Sequence, residues 1–200
     1  MKWTDLSPAT AMPVAPPALR ALPSPRSLCI GSATRSAAVD VQIAASVHEQ
    51  VLTHLRTEPQ ELGGLLLGLA WGRADDPEQA ALITVLDAVA AADSSGNGYS
   101  LRMEAAVWSA ANAQLAVLQT QAPAARIVGW YHSHPGLGAF FSHTDCMTQA
   151  ACFAHPYSIG WVIDPSDDTH ACFVGADSRP VRGLALMDAD SAELIAAAAA

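Results

Sequence analysis

The stretch Gly129–Asp145, reading GWYHSHPGLGAFFSHTD, constrains this chain more than any other. It opens within the apolar run Ile127–Tyr131, the kind of segment a buried strand uses. His132 and His134 follow two residues apart, and positions i and i+2 of a strand point to one face, so both imidazoles project to the same side. Pro135-Gly136 breaks the strand and Gly138 keeps the next loop pliable. Ser142-His143-Thr144-Asp145 then has the S-x-x-D pattern of a helix start, with Ser142 as N-cap. Asp145 falls in the first turn, where a carboxylate suits the positive end of the helix dipole. The loop can fold Asp145 back toward the two imidazoles. Two His and one Asp make a three-ligand zinc set with a fourth position open, the layout of a catalytic site. Taken singly, each residue has a plainer role. Paired histidines on a strand are often partly buried surface residues, and S-x-x-D is far more often only a cap.

The spacing His132-x-His134, seven intervening residues, then Ser142-x-x-Asp145 resembles the signature of the JAMM metalloprotease family, also called JAB1/MPN/Mov34 or MPN+. That family places a glutamate upstream in a Glu-x-Gly-Gly-Leu-x-x-Gly-like segment, and this chain has Glu61-Leu62-Gly63-Gly64-Leu65-Leu66-Leu67-Gly68. The intervening segment Tyr99 to Trp108 is also similar to the family, and the resemblance spans roughly residues 38 to 188.

The resemblance implies a mixed α/β domain in which a curved mixed β-sheet is flanked by helices, the cytidine-deaminase-like MPN fold. It implies that His132, His134 and Asp145 bind Zn²⁺ and that a water completes the tetrahedron. Glu61, a lone acid beside glycines that would otherwise be a solvated turn residue, becomes the general base and hands the proton to the departing amine. Ser142 becomes the hydrogen-bond donor to the oxyanion, besides capping its helix. Family members commonly cut after the Gly-Gly tail of ubiquitin or a ubiquitin-like protein, and only glycines pass a narrow groove beside the metal without side-chain clashes. Between Pro156 and Pro165 there is little room for the cysteine-bearing second insertion of some eukaryotic relatives, so the chain is similar to the compact, stand-alone bacterial members. Several of those accompany ubiquitin-like conjugation enzymes, antiviral defence operons included. The expectation is a deubiquitinase-like zinc isopeptidase whose partners are a Gly-Gly-ending ubiquitin-like protein, its conjugates, and E1- or E2-like enzymes. Its rivals are a peptidase releasing an amino acid from a sulfur-carrier protein, a non-catalytic scaffold, and a RadC-like domain. The presence of all five residues, Glu61, His132, His134, Ser142 and Asp145, argues against the scaffold. His132-Ser133-His134-Pro135-Gly136-Leu137 matches the RadC-like HNHPSG pattern poorly.

Composition narrows the classes further. With 200 residues and 51% hydrophobic content the chain suits one domain with extensions. A net charge of −9 gives no basic face for nucleic acid. Pro8, Pro13, Pro16 and Pro17 interrupt any apolar run at the N-terminus, so neither a secretory signal nor a membrane span is expected. Cys29, Cys146, Cys152 and Cys172 form no close CxxC pair, which fits a reduced, cytoplasmic protein. Cys146 and Cys152 follow Asp145 closely, but as small apolar residues in or near a helix they need no second metal.

Along the chain, residues 1–36 hold six of the 13 prolines before residue 30 and read as a Pro/Ala-rich extension, a loosely attached tail unless Trp3, Leu6, Leu19, Leu22 or Leu28 docks. The metalloprotease domain is read over 37–190 and an Ala-rich tail or helix over 191–200. Val39–Ile43 alternates as a first strand, and Ser46 with Glu49 has the form of a capping box for a helix carrying Val47, Val51, Leu52 and Leu55. Strands are expected at Leu65–Trp71, Ala81–Val89, Tyr99–Leu101, Ile159–Asp164, His170–Val174 and Val181–Leu186. Helices are expected at Glu104–Leu118 and from Ser142 to about Ala154. The loop Ala91–Gly98 is either an ordinary surface connection or, by its resemblance to the family's first insertion, a substrate contact. Without regular βαβ alternation, the mixture argues a mixed sheet.

Overall fold

A computed structural model of the chain describes residues 12–16, 26–30, 36–91, 105–188 and 195. Nine strands form one sheet: β1 Arg26–Ile30, β2 Asp40–Ala44, β3 Gly63–Gly72, β4 Ala80–Ala90, β5 Arg126–Ser133, β6 Ile159–Asp164, β7 Thr169–Val174, β8 Arg179–Pro180 and β9 Gly183–Met187. Three helices are described, α1 Ala45–Leu55, α2 Ala105–Leu118 and α3 His143–Cys152. The strand order is β1-β9-β2-β4-β3-β5-β6-β7-β8. β2 runs parallel to β4 and β9, and β5 parallel to β6, while the other pairs are antiparallel. The domain is thus the mixed α/β fold with a curled mixed sheet that the resemblance implies.

β3 lies near the middle of the order and explains the unbroken apolar run in its sequence. Every one of its residues is buried. Leu66 and Leu69 enter the large core beneath α1, whose Val47, Val51 and Leu55 are also buried there. Leu65 and Leu67 enter a second cluster with Val107 and Ala111 of α2. A strand covered on both faces cannot alternate polar and apolar residues, so it reads as continuous. Gly64 is needed for close approach, since a Cβ there would lie 2.1 Å from the Val89 carbonyl oxygen and 2.8 Å from the Tyr131 ring.

Three expectations need correction. Ser46 and Glu49 form no capping box: α1 begins at Ala45, its N-cap is Ala44, and no side chain caps it. β2 pairs with β9 through Ala44 opposite Met187 and runs into the helix without an intervening loop, so Ser46 already lies inside it. The Pro-rich stretch read as a loosely attached tail instead supplies β1, which pairs with β9, while Met12 and Ala15 are buried and Val14 bridges to Gly72. Leu28 packs against the core. Trp3, Leu6, Leu19, Leu22, the Tyr99–Leu101 strand and all but Ala91 of the Ala91–Gly98 loop lie outside the described residues. Of the C-terminal segment, Ile195 is helical and fully buried. Cys152 is exposed and Cys146 half-buried, so only the latter packs as expected. No helix among the described residues is long and apolar enough to cross a membrane.

The curl of the sheet brings β1 to the turn between β6 and β7, where a charged cluster fastens the two. Arg26 Nη2 lies 2.6 Å from Asp168 Oδ2. Asp168 Oδ1 lies 3.1 Å from His170 Nε2 and 3.8 Å from His48 Nε2 on α1. These His and Asp side chains are close enough to hold a metal ion. However, the Trp161 indole N–H donates to His170 Nδ1 at 3.3 Å, which leaves the imidazole proton on Nε2, facing Asp168. A metal at that Nε2 would require Nδ1 to carry the proton against the Trp161 N–H, so the cluster is a hydrogen-bonded fastening.

Burial pushes both His48 and His170 below the ordinary 6.5, outweighing the pull of Asp168; Arg26 adds to the depression of both and Arg56 to that of His48, while Glu49 opposes it at His48. A histidine depressed in the folded state contributes stability above its unfolded pKa that is lost as pH falls below it. The melting temperature should therefore fall as pH is lowered from about 7.5 to about 5.5, and the fall should be smaller in His48→Gln. Equal slopes in calorimetric scans of the two proteins would contradict this.

Candidate metal centre

Three local devices assemble the site. The first is β5, which places Trp130, His132 and His134 on one side by its two-residue period. His132 sits opposite Gly63 of β3 and Val162 of β6. The His134 N–H donates to the Ile163 carbonyl at 2.9 Å, which carries the parallel pairing one residue past the strand. The second is Ser133, which points the other way and clasps the segment before β3. Its N–H donates to the Leu62 carbonyl at 2.9 Å, and its Oγ accepts from the Leu62 N–H at 3.0 Å. That clasp sets Glu61 beside the histidines.

The third device is the start of α3. The Asp145 N–H donates to Ser142 Oγ at 3.2 Å and the Ser142 N–H donates to Asp145 Oδ2 at 2.7 Å, a complete capping box. The S-x-x-D reading therefore holds as a cap, and the cap turns the Asp145 carboxylate inward. Asp145 Oδ1 lies 3.3 Å from His132 Nε2 and Oδ2 lies 3.5 Å from His134 Nε2. The two Nε2 atoms are 3.2 Å apart. Glu61 Oε1 stands 3.9 Å from His134 Nε2. All five sequence-derived residues thus come together, and His132, His134 and Asp145 form a buried group that could hold a metal ion.

The electrostatics separate the two carboxylates. Burial opposes ionisation of Asp145, but hydrogen bonds with both imidazoles and Ser142 hold its carboxyl well below the usual range. Burial pushes Glu61 up, with the Asp145 charge adding to the rise and His134 opposing it. Burial pushes His132 down despite Asp145. At His134 the same burial penalty is overcome by Asp145 and Glu61, which raise it. A cavity of about 420 Å³ lined by Asp40, Gln42, Arg73 and Arg182 lies elsewhere, on β2, β4 and β9, and contains none of these groups.

The supporting residues were not singled out in the sequence. Trp130 stacks on His132, with ring centroids 4.5 Å apart and planes 8° from parallel. Phe140 meets the His134 ring edge-on at 4.9 Å. Gln149, fully buried on α3, accepts from the Trp130 indole N–H at 2.7 Å and donates to the carbonyls of Phe153 at 3.0 Å and Ser158 at 2.8 Å. Two signals were available: Trp130 is two residues before His132 on the same strand face, and Gln149 is one helical turn beyond Asp145. Gln149→Leu should cost about 3 kcal/mol of stability, because it leaves an indole N–H and two carbonyls buried without partners. Urea denaturation measures this, and a loss below about 1 kcal/mol would reject the role.

Comparison with known proteins agrees with the geometry. The family model described as JAB1/Mov34/MPN/PAD-1 ubiquitin protease matches residues 36–154. Uncharacterized protein F37A4.5 of Caenorhabditis elegans is 34% identical over 127 residues, 62% of this chain and 37% of that protein. The 26S proteasome regulatory subunit RPN11 of Eremothecium gossypii is 31% identical over 153 residues, 73% of this chain and 46% of the subunit. The chain thus spans less than half the length of these relatives. The solution structure of protein DSY2949 from Desulfitobacterium hafniense superposes with a TM-score of 0.56 at 19% identity, over 74% of this chain and 93% of that one, a likeness of fold. With the family's motif residues assembled at one end of β5 and the family model covering more than half of its length, this chain belongs to the JAB1/MPN/Mov34 family.

Proposed function

We propose that the chain is a zinc-dependent isopeptidase or peptidase that cleaves after the C-terminal Gly-Gly of a ubiquitin-like protein. The observation that carries this reading is the spacing of the three ligand groups. Zinc bonds of 2.0–2.1 Å in a tetrahedron put ligand atoms about 3.3–3.4 Å apart. The two Nε2 atoms here are 3.2 Å apart, and each faces its own oxygen of Asp145, His132 at 3.3 Å from Oδ1 and His134 at 3.5 Å from Oδ2, so the three groups converge at the spacing such an ion needs. Two imidazole nitrogens and one carboxylate are also the donor set of hydrolytic zinc. The residues fit the ion.

When bound, zinc supplies a water whose pKa falls from about 15.7 toward about 7. Glu61 has the placement and the raised proton affinity to accept that water's proton and give it to the leaving amine. Ser142 Oγ accepts the Asp145 N–H, and its O–H, which bonds the Asp145 carboxylate here, can turn to donate to a developing oxyanion. Such a donor is typically worth about 3 kcal/mol. Asp145 holds its place by the capping box, and the Leu62–Ser133 clasp holds Glu61 against the ligands. The convergence of all five residues favours catalysis over a metal-free scaffold.

The family's description as a ubiquitin protease supports the substrate class. In this reading the partners are the ubiquitin-like protein, its conjugates and E1- or E2-like enzymes, in the cytoplasm of a bacterium with a conjugation or antiviral defence system. Release of an amino acid from a sulfur carrier would use the same groups.

Purified wild-type protein should carry about one zinc per chain and the His134→Ala/Asp145→Ala variant almost none. Zinc-free wild type after supplementation would turn the search to binding partners. Glu61→Ala should retain the zinc and lose cleavage of a diglycine-linked fusion by at least about 100-fold, since a base and not a ligand is removed. Wild-type cleavage by that variant would refute the assignment.

A further inference from the structure

Asp164, the last residue of β6, is 2% exposed, and its hydrogen-bond partners among the described residues do not include any of the five site residues. Its carboxylate is turned to the loop that joins His134 to Ser142. Oδ1 accepts the N–H groups of Gly136 at 3.0 Å and Ser166 at 2.9 Å, and Oδ2 accepts the N–H of Gly138 at 2.8 Å. One of these bonds is local to the β6–β7 turn. The other two cross 28 and 26 residues of sequence to the site loop.

The loop needs such an anchor. Gly136 and Gly138 have φ of +72° and +83°, and a Cβ at either would meet nothing within 4 Å, so the requirement there is backbone conformation and not space. Glycine reaches positive φ readily but is equally free to leave it, so two glycines make a loop with many alternatives. At its start His134 is tied to Ile163 and the Leu137 N–H returns to the His134 carbonyl at 3.1 Å, at its end the Ser142 N–H is held by Asp145, and between them the Gly138 backbone bonds the His134 side chain. Beyond the glycines come Phe140, edge-on to the His134 ring, and Ser142, the cap of α3. A buried carboxylate that collects two alternate N–H groups selects one path for everything between the two ends.

We propose that Asp164 is a positioning residue of the metal centre: it fixes the Gly136–Gly138 loop, and through it the orientation of His134 and the placement of Ser142, without contacting metal or substrate. The proposal rests on the reading of His132, His134 and Asp145 as metal ligands. A role confined to the β6–β7 turn would need only the Ser166 bond.

Asp164→Asn separates the two. An asparagine of the same shape keeps one oxygen for Gly136 and Ser166 and sets an amide NH₂ against the Gly138 N–H. Expected are amide exchange at Gly138 at least about 10-fold faster than in wild type, cobalt(II) affinity about 10- to 100-fold weaker, and a changed visible spectrum of the cobalt(II)-loaded protein. Gln50→Ala, which removes a bond to the Ala88 carbonyl from α1, controls for loss of stability alone and should keep the wild-type spectrum. Asp164→Asn with wild-type exchange, affinity and spectrum would overturn the proposal. Should wild type bind no cobalt(II), the ligand reading fails, and the anchoring is then judged by Gly138 exchange. If Asp164→Asn does not fold, Gly138→Ala strains the same contact from the other side and should show the same cobalt(II) change; an unchanged spectrum there would also overturn the proposal.

Discussion

The site depends on one carboxylate being shared. Asp145 starts α3 and at the same time faces two imidazoles, and neither duty is cheap for a buried charge. An ionised group with 8% of its surface exposed is tolerated only where it is fully bonded. Here the Ser142 N–H and the two Nε2 atoms supply the bonds, and the positive end of the helix adds to them. Glu61, less buried and lacking a backbone donor among its described contacts, is shifted the opposite way. Environments that push two neighbouring acids apart are how one cleft gives them different tasks.

The sheet makes that sharing possible by burying β5 between β3 and β6. Both neighbours fix the register of the two histidines, β3 antiparallel and β6 parallel, and a slip of one residue would turn Trp130, His132 and His134 to the opposite face. Aromatic packing then limits the imidazoles further. Trp130 lies flat on His132 and is itself held by Gln149, so the orientation of this imidazole is traceable to an amide on the next helix. Supporting contacts of this kind are what hold a metal site to its geometry.

Much of this was legible in the sequence because it is encoded locally. The His-x-His pair follows from strand period, the Asp145 cap from S-x-x-D, and the apolar strands from their runs; Ile159–Asp164 matches its expected bounds to the residue. Ser46 misled because a capping motif states what a side chain can do, while the β2–β9 pairing decided where the helix began. β1 was missed because Arg26–Ile30 has too little pattern of its own and forms by pairing with a strand more than 150 residues away. The same holds for His48, Asp168 and His170, and for Asp164. Their meaning comes from partners that only the fold brings near. Glu61 is the intermediate case: its motif was visible, but its position beside His134 depends on the clasp between Leu62 and Ser133.

The curl of the sheet bears on how this chain meets other copies of itself. An open sheet ends in rows of unpaired N–H and C=O groups that invite another strand. Here one terminal strand, β1, is folded toward β7 and tied to the adjoining turn by Arg26 and Asp168. The other, β8, is two residues long and ends in Pro180, which has no N–H to offer. Among the described residues, then, neither border presents a long template for edge-to-edge growth.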